Sequence, residues 1–267
     1  MYIFNTMHEW VLVIPILVLL IIGIAVGALT GMTGSSGVLV VVPALELLGF
    51  TFQVAVGTSL LVDVITTSVV AFVYLRKKSL DVKVALLMGF GAVIGAQIGT
   101  RFAISISQTP LEVAFVLLTA ILAFQMFRRA GGHSLGQAWR HDKIRINRSL
   151  MLAFVMSIPV GFLTGTLGTS GGVMFIGIIL LLFAMSAQKM VGTATLAMFL
   201  SAASGATGYI SVGRISIISA LLIGVTSLAS GILFSYVAHR VAERIIYLSI
   251  GLVFVAVIVL EIFKIIL

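Results

Sequence analysis

Ten runs of apolar residues follow one another along the chain, separated by short polar or glycine-rich breaks. A helix of about 20 apolar residues crosses the hydrocarbon core of a bilayer, and eight of the runs approach or reach that length. The pattern therefore predicts a chain of membrane helices. The runs are Trp10–Thr30, Val38–Phe50, Gln53–Tyr74, Val84–Ala103, Leu111–Phe127, Leu150–Gly168, Val173–Met185, Val191–Ile210, Ile215–Ala238 and Ile245–Ile266.

The second and seventh runs are shorter than the others. Val38–Phe50 and Val173–Met185 hold 13 residues each, and a helix of that length falls short of the roughly 30 Å of hydrocarbon. We expect both to be re-entrant or half-spanning helices.

The composition excludes a soluble or disordered chain. Hydrophobic residues make up 61% of the 267 residues, charged residues 9%, and the mean hydropathy is +1.27. Soluble domains have about 45–50% apolar and about 25% charged residues, and disordered segments have few apolar residues. We therefore predict an all-α polytopic membrane protein. Because the chain has no cysteine, it has neither disulfides nor thiolate metal sites.

An internal duplication explains why two short runs lie in corresponding places. Seven of eleven residues are identical between Gly27–Gly37 and Gly161–Gly171, at an offset of 134 positions. Further matches follow at an offset of 135, among them Val56-Gly-Thr with Val191-Gly-Thr. Ordered matches at a nearly constant offset indicate a repeat. The prediction is a first membrane repeat over 1–130, a cytoplasmic linker over 131–148 and a second membrane repeat over 149–267.

The basic residues orient the two repeats. Cytoplasmic loops of membrane proteins are enriched in lysine and arginine, which also accounts for the net charge of +8 without a nucleic-acid partner. One assignment of the loops puts 13 basic residues on one side and three on the other, Arg101, Arg214 and Lys264. The first half then starts outside the cell and the second starts inside. Two inverted repeats of about five segments each are typical of secondary transporters, with the substrate at the repeat interface.

The two glycine and hydroxyl-rich breaks are the first candidate site. Gly34-Ser35-Ser36-Gly37 precedes the first short helix, and Gly168-Thr169-Ser170-Gly171-Gly172 precedes the second. Glycine lets the backbone break and be approached closely, and each following helix would point its amides and positive dipole end at the break. Two such ends form an anion site without a buried cation. Close helix packing is the alternative for glycines, and we favour it for Gly23, Gly27 and Gly161.

Hydroxyls of the repeated Val-Gly-Thr motif are further candidates. Thr58, Ser59 and Thr193 open long segments after the chain returns from each short helix. They either complete an oxyanion cage or bond the carbonyl four residues earlier in their own helix.

Two polar residues lie inside long apolar runs. Asp63 is the lone carboxylate of its run, and an ionisable group at that depth favours a functional role such as proton coupling; a structural carboxyl is the alternative. Gln97 either lines the pathway or bridges two helices. Glu46 and Glu112 lie near segment ends and are expected to be solvated.

The motifs together resemble the TauE/SafE family of bacterial sulfite exporters. The likeness covers the eleven residues from Gly27, the short helix with Pro43, Val56-Gly-Thr-Ser, Gly91–Arg101 and the second-half copies. It implies transport of small sulfur oxyanions and organosulfonates such as sulfite or sulfoacetate. Similar proteins read Gly-x-Gly-Gly-Gly after the first helix, whereas this chain has two serines there.

We therefore expect a secondary transporter of small anions in the bacterial inner membrane, working by alternating access. A passive anion channel and a non-transporting membrane scaffold subunit are the alternatives. The expected partners are a small anion and the lipid bilayer, with proton coupling and a homodimer as open options. No catalytic set of side chains and no metal cluster can be assembled, so we predict neither an enzyme nor a cofactor.

Overall fold

The computed structural model describes residues 2–33, 37–131, 146–169, 171–183, 185–237 and 243–266. The regular structure within these residues is helical throughout. The helices are α1 (Tyr2–Thr33), α2 (Val38–Leu47), α3 (Phe52–Arg76), α4 (Val82–Ser105), α5 (Gln108–Ala130), α6 (Ile146–Leu167), α7 (Gly172–Leu182), α8 (Ala187–Ser211), α9 (Ile217–Val237) and α10 (Glu243–Ile266).

Each predicted apolar segment corresponds to one of these helices, and the two short ones remain short. The helix α2 has 10 residues and α7 has 11, about 15 and 17 Å at 1.5 Å per residue. The prediction of a first segment beginning at Trp10 was wrong, because α1 already begins at Tyr2. Residues 2–9 contain neither glycine nor proline, so nothing in them ends the helix early.

Within the described ranges, six helices are long and apolar enough to cross a membrane by length and composition. They are Phe52–Arg76, Val82–Ser105, Gln108–Arg128, Arg148–Leu167, Gln188–Ser211 and Ile217–Phe234. Large apolar side chains are exposed along them, as at Phe90, Leu117 and Val225. A helix bundle embedded in a bilayer presents such an apolar outer face, because side chains that face lipid do not contact water.

The closest helix pairs join the two halves of the chain. The helix α1 packs along α9, and α4 packs along α6. Glycines make both approaches possible: a Cβ on Gly27 would overlap Ser227 O, and one on Gly161 would overlap Ala92 O. The expectation that Gly27 and Gly161 serve close packing is confirmed, as it is for Gly23, which lies against Ile223 O and Thr226.

The helices form two mixed bundles. The α3 bundle comprises α1, α2, α3 and α9, and the α8 bundle comprises α4, α6, α7 and α8; α3 against α8 is the main contact between them. One cluster of buried apolar residues, with Met88, Phe175 and Met198, lies within the α8 bundle. The other is centred on the α3 bundle, with Val26, Leu45 and Ile223, and extends onto Leu167 and Tyr209 of the α8 bundle and onto α5 and α10. The helices α5 and α10 pack on each other beside these bundles.

Candidate functional site

The second break is a tight loop built on two left-handed glycines. Gly168 and Gly171 both have φ +72°, a conformation that side chains with a Cβ adopt at a cost of about 1–2 kcal/mol. The hydroxyl of Thr164 donates to the carbonyls of Val160 and Thr169, at 3.0 and 2.9 Å, and so ties the loop back to α6. Gly171 is the N-cap of α7 and provides no side-chain cap for its amides.

Thr169 is the polar side chain within this loop. It is only 3% exposed, and its Oγ1 has no hydrogen-bond partner in the described part of the chain. A buried hydroxyl normally has a partner, because leaving it without one costs about 1–3 kcal/mol. An unsatisfied hydroxyl beside uncapped helix amides is an arrangement that a bound anion would complete.

The first break is described only at its edges. Gly34, Ser35 and Ser36 lie outside the described residues, and so does Ser170 of the second break. Gly37, the N-cap of α2, has φ −75° and no side-chain cap hydrogen bond. Thr30, which aligns with Thr164, is fully buried, and no partner for its Oγ1 occurs among the residues that the structure describes.

Both breaks fold back against the long helix that precedes them. A Cβ on Gly37 would lie 2.6 Å from Val26 Cα, and one on Gly171 would overlap Val160 Cγ1. The two valines are also 134 positions apart. Val160 is the fifteenth residue of α6, about 21 Å from its start. The helix α7 therefore begins deep within the length of α6 and returns alongside it.

The Val-Gly-Thr motifs bind the starts of two other helices. Thr58 Oγ1 accepts from Ser216 N at 2.9 Å, and Thr193 Oγ1 accepts from Asp81 N at 3.0 Å. Ser216 and Asp81 immediately precede α9 and α4. Thr193 also donates to Lys189 O, four residues earlier, and Ser59 donates to Val56 O. Each of these hydroxyls is thus engaged within the protein.

The structure does not bring Thr58 and Thr193 together. Gly57 lies against Tyr209 near the end of α8, and Gly192 lies against Tyr74 near the end of α3. Gly57 and Tyr74 are 17 positions apart, about 25 Å of helix, so the two motifs occupy opposite ends of the α3–α8 pair. One small anion cannot contact both.

Gln97 bridges two helices. Its Nε2 donates to the carbonyl and the hydroxyl of Ser204, at 2.7 and 3.1 Å, and Ser204 in turn donates to Val93 O. This polar contact joins α4 to α8, which is the second of the two roles considered for Gln97.

The carboxylates are more buried than their positions in the sequence suggest. Asp63 is fully buried in α3, as expected for a residue within a long apolar run. The expectation that Glu46 and Glu112 are solvated was wrong, because they are 8% and 9% exposed. Both lie inside helices that extend beyond them and pack on neighbours. Glu261, which sequence analysis did not single out, is 1% exposed.

Comparison with known proteins identifies the family. The profile of the sulfite exporter TauE/SafE family matches residues 19–260. The chain belongs to this family. Together with the six helices of membrane-spanning length and composition among the described residues, membership indicates a multi-pass membrane transporter.

Three Bacillus subtilis (strain 168) proteins are similar to this TauE/SafE family member. Probable membrane transporter protein YunE is 24% identical over 222 residues, which cover 76% of this chain and 81% of the relative. Probable membrane transporter protein YjnA is 23% identical, covering 85% and 91%. Probable membrane transporter protein YdhB is 26% identical, covering 74% and 80%. No solved structure matches the chain.

Proposed function

We propose that this TauE/SafE protein is a secondary transporter of small anions, with sulfite and organosulfonates such as sulfoacetate as its substrate class. The observation that carries the proposal is Thr169, a buried hydroxyl without a hydrogen-bond partner in the described structure, at the uncapped start of α7. The positive end of a helix dipole and free amides favour a negatively charged ligand.

The charge of the interior supports the same conclusion. Lysine and arginine are absent from the buried residues among those whose exposure the structure describes, whereas Glu46, Asp63, Glu112 and Glu261 are buried. A substrate anion therefore has to be held by amides and hydroxyls. We propose that Gly37 and Gly168–Gly172, with Ser35, Ser36 and Gly34 of the first break, supply them. Thr58 and Thr193 remain in the proposal only as residues that hold neighbouring helix starts in place.

Two inverted repeats, 1–130 and 149–267, joined by the 131–148 linker, are part of the proposal. The support is the correspondence of contacts at one offset: Gly57 with Arg214 O and Tyr209, and Gly192 with Ser79 O and Tyr74. The start of α3 meets the end of α8, and the start of α8 meets the end of α3. The two helices therefore run antiparallel. An inverted repeat has this geometry.

The charged loops support the proposed orientation in the bacterial inner membrane. Lys189 Nζ lies 3.3 Å from Asp81 Oδ2, so the α3–α4 loop and the start of α8 share one end of the bundle. Arg214 lies at the other end, beside Gly57. We propose that the Lys189 end is cytoplasmic and the N-terminus extracytoplasmic. Asp63, buried in α3, is the proposed proton-coupling group.

The test compares two threonines in the same region. Thr169→Val removes the hydroxyl without a partner, whereas Thr166→Val removes a buried hydroxyl that already donates to Phe162 O. We expect Thr169→Val to weaken sulfite or sulfoacetate binding to the purified protein by about 1–3 kcal/mol, and Thr166→Val to leave it nearly unchanged. Equal affinities for the two variants would contradict the site. Binding of taurine, sulfate and acetate to the wild type defines the substrate class.

Counterflow in liposomes distinguishes a carrier from a channel. A carrier loaded with unlabelled anion accelerates entry of labelled anion, whereas a passive channel does not. A scaffold subunit would give neither response. Sulfite-loaded vesicles that show no accelerated exchange would refute the secondary transporter.

A further inference from the structure

Three helices of this chain end in the same backbone turn. In each, one N–H donates to the carbonyl three positions earlier, and the next N–H donates to the carbonyl five positions earlier. These two bonds are the Schellman arrangement, in which the first of the two donors is left-handed. That residue is Gly49 after α2, Lys78 after α3 and Gly213 after α8, with φ of +90°, +54° and +69°. Of these three turn residues, Lys78 is the one with a side chain.

Lysine is an unfavourable residue for this turn. The left-handed backbone costs a residue with a Cβ about 1–2 kcal/mol, and glycine avoids that cost. Lys78 and Gly213 are 135 positions apart, the offset of the two halves, so the second copy of the turn has the residue that suits it. A residue held in a strained conformation indicates a function for its side chain. Because Lys78 is exposed, that function involves a partner outside the folded chain.

The loop around Lys78 is basic, whereas its copy is not. Residues 76–83 contain four basic residues, all of them exposed, and one acid, Asp81. The basic residues are Arg76, Lys77, Lys78 and Lys83. Asp81 pairs with a further basic residue, Lys189 of α8, at 3.3 Å. The equivalent residues 211–218 contain one basic residue, Arg214. The charge of the first loop therefore fits an anionic partner.

Outward-facing apolar side chains border these charges. Phe72 and Leu75, in the last turns of α3, are each 51% exposed, and Val82 at the start of α4 is 44% exposed. Both helices are long and apolar enough to span a membrane. The guanidinium carbon of Arg76 lies 4.7 Å from the centre of the Phe72 ring, which holds this charge beside the apolar face. Acyl chains of a lipid would cover these side chains, whereas a free anion would leave them uncovered.

We propose that the α3–α4 loop is a binding site for an anionic phospholipid. The basic residues of the loop hold the phosphate group, and the acyl chains lie along Phe72 and Leu75. The loop also packs on the start of α8, because Asp81 N donates to Thr193. A lipid bound here therefore stabilises the end of the protein where α3, α4 and α8 meet. The proposal does not depend on the proposed transport function.

Native mass spectrometry of the purified full chain measures the bound lipid. The wild type is titrated in detergent with phosphatidylglycerol and with phosphatidylcholine of the same acyl chains, and we expect the anionic lipid to bind more tightly. Each basic residue near an anionic lipid contributes about fivefold in affinity. The double variant Arg76→Gln/Lys83→Gln should therefore bind phosphatidylglycerol about 25-fold more weakly. Arg214→Gln, in the equivalent loop, is the matched control and should bind as the wild type does.

Lys78→Gly separates loss of the lipid site from loss of structure. Glycine removes the charge and the left-handed strain together. We therefore expect phosphatidylglycerol to bind about fivefold more weakly, while the melting temperature in lipid-free detergent rises. Lys78→Arg keeps the charge and should keep the affinity. A variant that is more stable but binds less lipid has not lost the lipid through misfolding.

Four results would overturn the proposal. The first is equal affinity of the wild type for the two lipids, and the second is unchanged phosphatidylglycerol affinity in both Lys78→Gly and the double variant. The third is a loss in Arg214→Gln as large as that in Lys78→Gly, which would show a general effect of charge and not a site. The fourth is glycerol phosphate binding as tightly as phosphatidylglycerol, which would make the occupant a free anion and not a lipid.

Discussion

The two glycine-rich breaks begin from nearly the same eleven residues but differ in backbone. Gly37 has φ −75° at the start of α2, whereas Gly171 has φ +72° at the start of α7. Both nevertheless pack on the equivalent valine, Val26 or Val160. The two glycines therefore make the same contact with the preceding helix from different backbone conformations. Of these two N-cap glycines, Gly171 is the one whose backbone itself requires glycine.

The buried polar groups differ between the halves as well. Thr66 of α3 and Ser227 of α9 share a hydrogen bond between their hydroxyls. The equivalent positions in the other bundle hold Ser201, whose hydroxyl has no partner in the described part of the structure, and Ala92. Asp63 is buried on α3, and its equivalent on α8 is Met198. Shared architecture therefore does not impose shared chemistry on the two bundles.

Among the substitutions that test this difference between the bundles, Asp63→Asn should have the largest effect. The substitution keeps the shape of the side chain and removes its charge, so we expect uptake driven by a pH gradient to fall to the level of protein-free vesicles. Met198→Leu, at the equivalent position, should retain it. Flux of labelled sulfite into proteoliposomes is measured with and without the gradient. Unchanged pH-driven flux in Asp63→Asn would assign this carboxyl a structural role.

The conformations of the two breaks can be tested with paired alanine substitutions. Gly171→Ala introduces left-handed strain and overlap with Val160 Cγ1, and should destabilise the protein by about 2–5 kcal/mol. Adding Val160→Ala to this variant should relieve the overlap with Cγ1, and the backbone strain of about 1–2 kcal/mol should remain. Thermal unfolding in detergent measures each loss.

Gly37→Ala should respond differently to the equivalent rescue. Its cost of about 1–3 kcal/mol comes from overlap with Val26 Cα and Cγ1, each 2.6 Å from the added Cβ, and with Val26 Cβ at 2.8 Å. Because Val26→Ala removes Cγ1 but retains Cα and Cβ, we expect only partial recovery. Equal rescue in both halves would mean that the two breaks share one conformation.

The threonines at the opposite ends of the α3–α8 pair should be equivalent. Thr58→Val and Thr193→Val each remove the acceptor of a backbone N–H, and we expect a loss of about 1 kcal/mol of stability for each. Thr195→Val is the control, because its hydroxyl bonds only to Val191 O in its own helix. A loss in one variant alone would show that the two helix starts are held differently.

The ion pair between Lys189 and Asp81, at one end of the α3–α8 pair, should contribute least to the stability of the protein. Lys189 pairs with Asp81, whereas the residue equivalent to Lys189 in the first half is Val54. Partly exposed ion pairs contribute about 0–1 kcal/mol, so Lys189→Met should lower the melting temperature slightly and remove its dependence on salt. A loss comparable to that of Gly171→Ala would indicate that this pair holds the bundle end together.

Local sequence was sufficient to predict the helices. Runs of apolar residues interrupted by glycine and polar residues predicted ten segments, and the 13-residue runs predicted that α2 and α7 are short, because both properties depend on neighbouring residues. The burial of Asp63 and the packing role of Gly27 and Gly161 followed for the same reason. At the breaks, the sequence indicated exposed amides and hydroxyls but not which glycine is left-handed.

The tertiary structure decided which residues meet. Thr58 and Thr193 share one motif and suggested one site, yet their partners, Ser216 and Asp81, lie 158 and 112 positions away. Glu46 and Glu112 lie near segment ends but are buried by neighbouring helices. The mixing of the two halves into the α3 and α8 bundles depends on glycines meeting carbonyls of distant helices. The sequence indicated close packing at Gly27 and Gly161, but which distant helix each glycine meets is decided by three-dimensional packing.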